Sequence, residues 1–109
     1  MNTLDYTGPE RRNYTRVIYK PSQKAELNIV SATFDVLDIN EAGIRFLNAT
    51  GIKIPRFIRG VLTLLSGTHI EIDGKVEWEQ DDEVGMSLNF LIPYQDIEKE
   101  QRFIILNCD

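Results

Sequence analysis

From Arg16 onward, apolar and polar residues alternate in short runs separated by closely spaced turn signals. The clearest run covers residues 70–79. Ile70, Ile72, Val76 and Trp78 share one parity, while Glu71, Asp73, Lys75, Glu77 and Glu79 take the other. Successive side chains of a strand point to opposite faces, so this spacing gives one buried and one wet face. Other segments read the same way. Val17-Ile18-Tyr19 is β-branched and aromatic, Pro21-Ser22 interrupts it, and Glu26–Ile29 alternates polar with apolar. Thr33–Asn40 is a further strand, followed by a turn at Glu41-Ala42-Gly43 and a strand at Ile44–Leu47. Residues 48–60 hold Gly51, Pro55 and Gly60 and form the longest connection. Strands then follow at Val61–Leu65, Thr68–Ile72, Lys75–Glu79 and Val84–Phe90, with turns at Ser66-Gly67, Asp73-Gly74 and Asp81–Glu83. Six or seven short strands with close turns predict a closed antiparallel barrel.

Beyond Pro93 the period changes. Asp96 is placed to cap a helix in which Glu98 and Arg102 stand four apart, and Ile97, Ile104 and Cys108 share one side. Residues 1–15 are polar, contain Gly8-Pro9, and read as a flexible N-terminal arm, with residues 16–109 forming the barrel and its C-terminal helix.

The length of 109 residues fits one domain. The longest apolar run, Ile104-Ile105-Leu106, is far short of the roughly 20 residues of a membrane span. The N-terminus has neither a basic region nor an apolar stretch of the secretory type, so a cytoplasmic domain is expected. A single cysteine, Cys108, excludes an intrachain disulfide and a cysteine-based metal cluster. The net charge of -5 argues against general nucleic-acid binding, which needs a broad basic face. That charge is uneven. Residues 1–25 hold five basic residues (Arg11, Arg12, Arg16, Lys20, Lys24) against Asp5 and Glu10, whereas the remainder holds seven against fifteen acidic ones. A positive leading segment on an acidic body suits one compact anion.

Two segments carry chemistry. Arg12 and Arg16 are four apart, which in an extended chain points both guanidinium forks the same way about 13 Å apart. Such forks pair bidentately with phosphate or with the O6 and N7 edge of guanine. On spacing alone, a solvated basic arm is the favoured reading of the pair. In Asp38-Ile39-Asn40-Glu41-Ala42-Gly43, alternation puts Asp38 and Asn40 on one face and Leu37 and Ile39 on the other. An aspartate there can accept the N1 and N2 protons of guanine, Asn40 can donate to a phosphate or base edge, and Gly43 tolerates φ > 0 in the turn. A plain β-turn also favours Asp, Asn and Gly.

Taken together, Arg12-Asn13-Tyr14-Thr15-Arg16 and Asp38-Ile39-Asn40-Glu41-Ala42-Gly43 resemble the signature of the PilZ domain family. That signature is an RxxxR arm followed by (D/N)xSxxG at a similar separation. Glu10-Arg11, Gly43-Ile44-Arg45-Phe46, Gly74–Trp78 and Gly85–Phe90 extend the likeness over roughly residues 10–106. The resemblance implies a mostly β fold, a six-stranded antiparallel barrel with a C-terminal helix, and a receptor for the bacterial second messenger cyclic di-GMP. Arg12 and Arg16 would hold guanine and phosphate, Asp38 and Asn40 the opposite side of the ligand, and Gly43 the turn. Arg11 resembles the extra arginine of members that bind a stacked pair of ligands, which implies two molecules per chain. Trp78 matches a place where some members set a ring beside the ligand. Position 40 departs from the pattern, with asparagine where serine is usual. Members that have lost nucleotide binding act as protein adaptors, which is the alternative function. Either role implies a separate downstream protein, with no nucleic acid, membrane or cofactor.

Trp78 shares its parity with core residues, so the pattern places it in the core, with a barrel-rim position as the alternative. The acidic run Glu77 to Glu83 reads as a solvated hairpin, since it lacks the spacing of a calcium loop. His69 is the only histidine, and no nucleophile elbow, phosphate loop or dinucleotide fingerprint occurs. The sequence therefore offers no catalytic set.

Overall fold

Alternation turns into seven strands in the computed structural model, which describes residues 15–107. They are β1 (Val17–Ile18), β2 (Glu26–Ile29), β3 (Ala32–Asn40), β4 (Gly43–Leu47), β5 (Phe57–Thr63), β6 (His69–Gln80) and β7 (Glu83–Leu88), followed by helix α1 (Tyr94–Leu106). All pairings are antiparallel. The ladder runs β3-β2-β5-β6-β7-β4 and returns from β4 to β3, which closes a six-stranded barrel. Closure leaves no sheet edge among the six, the liability that an open sheet must manage. β1 is added outside the ring. It pairs with the last residues of β3, Val17 opposite Ile39 and Ile18 opposite Asp38.

The inward positions fill the barrel with aliphatic and aromatic side chains. Leu27, Val36, Ile39, Phe46, Ile58 and Leu62 are almost wholly buried, and the Phe34 and Phe46 rings meet in a tilted pair at 5.2 Å. Helix α1 contributes Ile97 and Ile104, the two apolar positions expected of its buried side, while Cys108 lies outside the described residues.

The helix also buries Glu100 completely. Its carboxylate accepts hydrogen bonds from Tyr19 Oη (2.7 Å), Leu65 N (2.7 Å) and Ser66 N (3.0 Å). A charge removed from water must be satisfied by fixed donors, and three are aimed at this one. Burial, then the hydrogen bond and the charge of Glu100, hold the Tyr19 hydroxyl far above the ordinary tyrosine pKa. Glu100 thus ties α1 both to the segment after β1 and to the β5–β6 turn. The helical period sets Glu100 on the face of Ile97 and Ile104, but nothing in it shows which donors satisfy the carboxylate.

Several expected boundaries move. Asp73-Gly74 is not a turn. β6 runs unbroken for twelve residues, because Gly74 serves close approach instead, and a Cβ there would collide with the Ser87 carbonyl oxygen of β7. With β6 continuous, Phe57 and Ile58 find partners in Lys75 and Gly74, so β5 begins well before Val61. β7 ends at Leu88, and Phe90 is exposed. The helix starts after Pro93 with no side-chain cap, and Asp96 sits in the first turn, where its charge favours the helix dipole. Among the described residues no ion pair joins Glu98 and Arg102.

Candidate functional site

Two irregularities in the ladder shape one end of the barrel. In β3 the register shifts between Val36 and Asp38, and burial skips from Val36 to Ile39. The bulged Leu37 is consequently only half-buried rather than inward, as strict alternation requires. In β6 the register shifts between Val76 and Trp78. The extra residue rotates Trp78 away from the face of Ile70, Ile72 and Val76. Its side chain is 43% exposed, which overturns the core placement and puts it at the rim.

Between these bulges lies an open cleft of about 220 Å3. Of the residues singled out from sequence, Arg16, Asp38, Asn40, Gly43 and Trp78 all line it. Arg11 and Arg12 lie outside the described residues.

Each side chain has a local cause. Asn40 Oδ1 accepts a hydrogen bond from Ala42 N at 2.7 Å, an Asx-type turn that fixes the β3–β4 connection. Its Nδ2 has no partner among the described residues and is the half of the amide left to donate. Gly43 is not in the left-handed region, contrary to expectation. It is required because a Cβ would sit 2.9 Å from the Met86 carbonyl oxygen on β7. Gly85 has the same logic toward the indole. Trp78 lies flat over it, and a Cβ at Gly85 would overlap the ring, with Cζ2 at 2.6 Å.

Asp38 is largely buried and already engaged. Arg45 Nε and Nη2 both reach Asp38 Oδ2 at 2.7 Å, and Arg45 Nη1 reaches Glu83 Oε1 at 2.7 Å. Partial burial disfavours the guanidinium charge. The hydrogen bonds and attraction of Asp38 and Glu83 outweigh it, and hold the Arg45 pKa above the ordinary arginine value. Arg16 is exposed and forms no ion pair among the described residues. Glu77 also lines the cleft, so the described walls are carboxylate-rich, with Arg45 taken up by its two acidic neighbours.

Sequence reasoning passed over Arg45, Glu77 and Gly85. A signal for Arg45 existed. A two-residue turn pairs Asn40 with Gly43, and the same register sets Asp38 opposite Arg45, a cross-strand pair of opposite charge. Nothing comparable marks Gly85, since the β6 bulge that lays Trp78 on it leaves no trace in the period.

The sequence profile of the PilZ domain matches residues 10–106. The chain belongs to the PilZ domain family. PilZ domains are nucleotide-binding receptor or adaptor domains. Solved structures share this PilZ fold at low identity. An uncharacterised protein of Legionella is 14% identical with a TM-score of 0.60, over 85% of this chain and 88% of that one. The Bacillus subtilis inhibitor of motility MotI/DgrA is 14% identical with a TM-score of 0.65, over 93% of this chain and 55% of that one, so the chain spans about half of that protein. No curated protein matches the sequence significantly. Among the described residues, no helix is long and apolar enough to cross a membrane.

Proposed function

We propose that this PilZ domain is a cytoplasmic cyclic di-GMP receptor, not an enzyme, that signals to a separate protein. One observation carries the reading: Arg16, Asp38, Asn40, Gly43 and Trp78, dispersed over more than sixty residues, line one cleft. Asp38 has one carboxylate oxygen committed to Arg45, and its other oxygen accepts N–H groups of a guanine edge. Asn40 Nδ2 donates to the ligand in place of the usual serine hydroxyl. The half-exposed indole of Trp78 offers a stacking face.

The cleft is smaller than the roughly 300–1,000 Å3 usual for small-molecule sites, and its described walls hold few uncommitted cations. It therefore calls for completion by the arm. Arg12 and Arg11 supply the charge that the phosphates require, Arg16 standing at the boundary between arm and barrel. Closure of residues 1–15 over the ligand creates the surface that the downstream protein reads. Arg11 serves a second, stacked ligand, giving two molecules per chain.

Titration calorimetry with cyclic di-GMP tests this. The wild type should bind, and Arg16→Ala and Asp38→Ala should each weaken binding about ten- to a hundredfold, the cost of one charge-assisted contact, with the barrel still folded. Variants that bind like the wild type refute the site. A wild type that does not bind supports the adaptor alternative, the reading favoured by Asn40 at the serine position.

A further inference from the structure

Arg45 is the only described cleft residue whose side chain is pinned at both ends by carboxylates. Its Nε and Nη2 converge on Asp38 Oδ2, and its Nη1 is held by Glu83 Oε1, all at 2.7 Å. The three residues come from three consecutive partners in the ladder, β3, β4 and β7, at the end where the β3 bulge turns Asp38 toward the cleft. Glu83 itself does not line the cleft. The guanidinium is therefore anchored from behind, by a group on the strand opposite Asp38.

We propose that Arg45 is a positioning residue that sets base selectivity, holding Asp38 by one oxygen so that the other faces the cleft as an acceptor. The inference rests on the receptor reading above. A carboxylate left to rotate presents either oxygen at varying angles. One whose Oδ2 is doubly bonded by a planar fork has a fixed plane, and Oδ1 then points one way. A fixed acceptor discriminates by what the base edge offers. Guanine carries N–H donors at N1 and N2, whereas adenine has a bare N1 lone pair that faces the carboxylate with repulsion. Held in place, Asp38 thus rejects adenine as well as accepting guanine. Because Glu83 saturates the other end of Arg45, the guanidinium does not leave Asp38 to follow a ligand phosphate.

Cyclic di-GMP and cyclic di-AMP share their sugar–phosphate ring and differ in the base edge, so the ratio of their affinities isolates this role. Calorimetric titration of both ligands into wild type, Arg45→Met and Glu83→Gln is the experiment, with circular dichroism confirming the fold of each. The wild type should prefer cyclic di-GMP strongly. In Arg45→Met the preference should fall about tenfold, the scale of one well-aligned base-edge contact. Glu83→Gln should lower it in the same direction but less, although Glu83 is outside the cleft. Should Arg45→Met not fold, the Glu83→Gln ratio alone decides, and an unchanged ratio overturns the proposal. A parallel loss of both ligands in Arg45→Met also overturns it, since that outcome makes Arg45 a phosphate contact. Failure of the wild type to bind either ligand overturns the receptor reading, and the proposal with it.

Discussion

Gly85→Ala separates the two jobs of Trp78, one in the rim and one toward a ligand. The added methyl would overlap Cε2 and Nε1 of the indole and lie 2.6 Å from Cζ2. Carbon contacts are comfortable only from about 3.5 Å, so the ring must move by about 1 Å or more. Two escapes exist. The strands can part, but β7 is hydrogen-bonded to β6 on one side and β4 on the other, and Gly85 is paired on both, with Trp78 and with Arg45. The indole can instead swing outward, which costs little because it is already 43% exposed. The second route wins. Gly85 has no positive φ, so alanine fits the backbone, and the smaller unfolded-state entropy contributes about 0.4–1 kcal/mol in its favour. That offsets much of the lost packing. The net change in stability should therefore be about 1 kcal/mol or less.

Ligand binding should respond more. Base stacking on an aromatic ring is worth about 1–3 kcal/mol, so losing the seat of the indole should weaken cyclic di-GMP about 5- to 150-fold. Trp78 is the only tryptophan, so its fluorescence reports this one ring. Emission of Gly85→Ala should shift to the red in the unliganded protein, and calorimetry should show the weaker binding at nearly unchanged melting temperature. Wild-type emission together with wild-type affinity would refute both the flat seating and the ring's contact with ligand.

Three further outcomes are expected. Tyr19 keeps its proton in the fold to far higher pH than in the unfolded chain, so its contribution is intact below about pH 10 and declines above it, by about 1.4 kcal/mol per pH unit; Tyr19→Phe should lose about 1.5–3 kcal/mol at neutral pH and show a shallower alkaline decline in denaturant melts, and an alkaline limb identical to the wild type's would contradict the buried Tyr19–Glu100 bond. Val30 is β-branched at φ 56 and 97% exposed, so it carries strain with no packing in return; Val30→Asn should raise stability by about 1 kcal/mol, or the melting temperature by about 4–8 °C, and no rise would show the turn to be unstrained. Arg11→Leu should leave one cyclic di-GMP bound per chain where the wild type takes two, and a wild-type titration saturating at one would count against the second ligand.

The barrel was legible because most of its strands are amphipathic in strict period two. Leu27, Phe34, Ile44, Phe46 and Val84 fall where alternation puts them. The turn at Asp73-Gly74 misled for a physical reason. Glycine serves both tight turns and close backbone approach, and Asp-Gly is a common hairpin signal, whereas here Gly74 lets β7 pass closely over an unbroken strand. The partners of Glu100 were illegible for a different reason. Its burial depends on three donors, Tyr19 Oη, Leu65 N and Ser66 N, that lie at least 34 residues away and become neighbours only when the barrel closes.

The cleft follows the opposite rule, since it forms where period two breaks. Asp38 and Trp78 belong to different strands, and each stands just past a register shift, one after Val36 and one after Val76. A β6 of the same sequence without its bulge would send the indole inward with Ile70 and Ile72, leaving the rim without a ring. A β3 without its bulge would carry the inward parity of Phe34 and Val36 on to Asp38 and send that carboxylate into the core. Bulges cost ladder hydrogen bonds locally, and they redirect side chains that a regular strand cannot present. The motif residues Asp38, Asn40 and Gly43 could be named from their spacing, because the turn between β3 and β4 is local. The partners that complete their environment, Arg45, Glu83 and Gly85, lie on strands brought together by closure. Their contribution depends on geometry that a single bulged residue decides. Deleting Glu77 should therefore remove the bulge yet leave Trp78 next to inward Val76 and opposite Gly85, on the outer face, with the emission of an exposed indole, and a blue-shifted indole would show that the register shift does not set its direction.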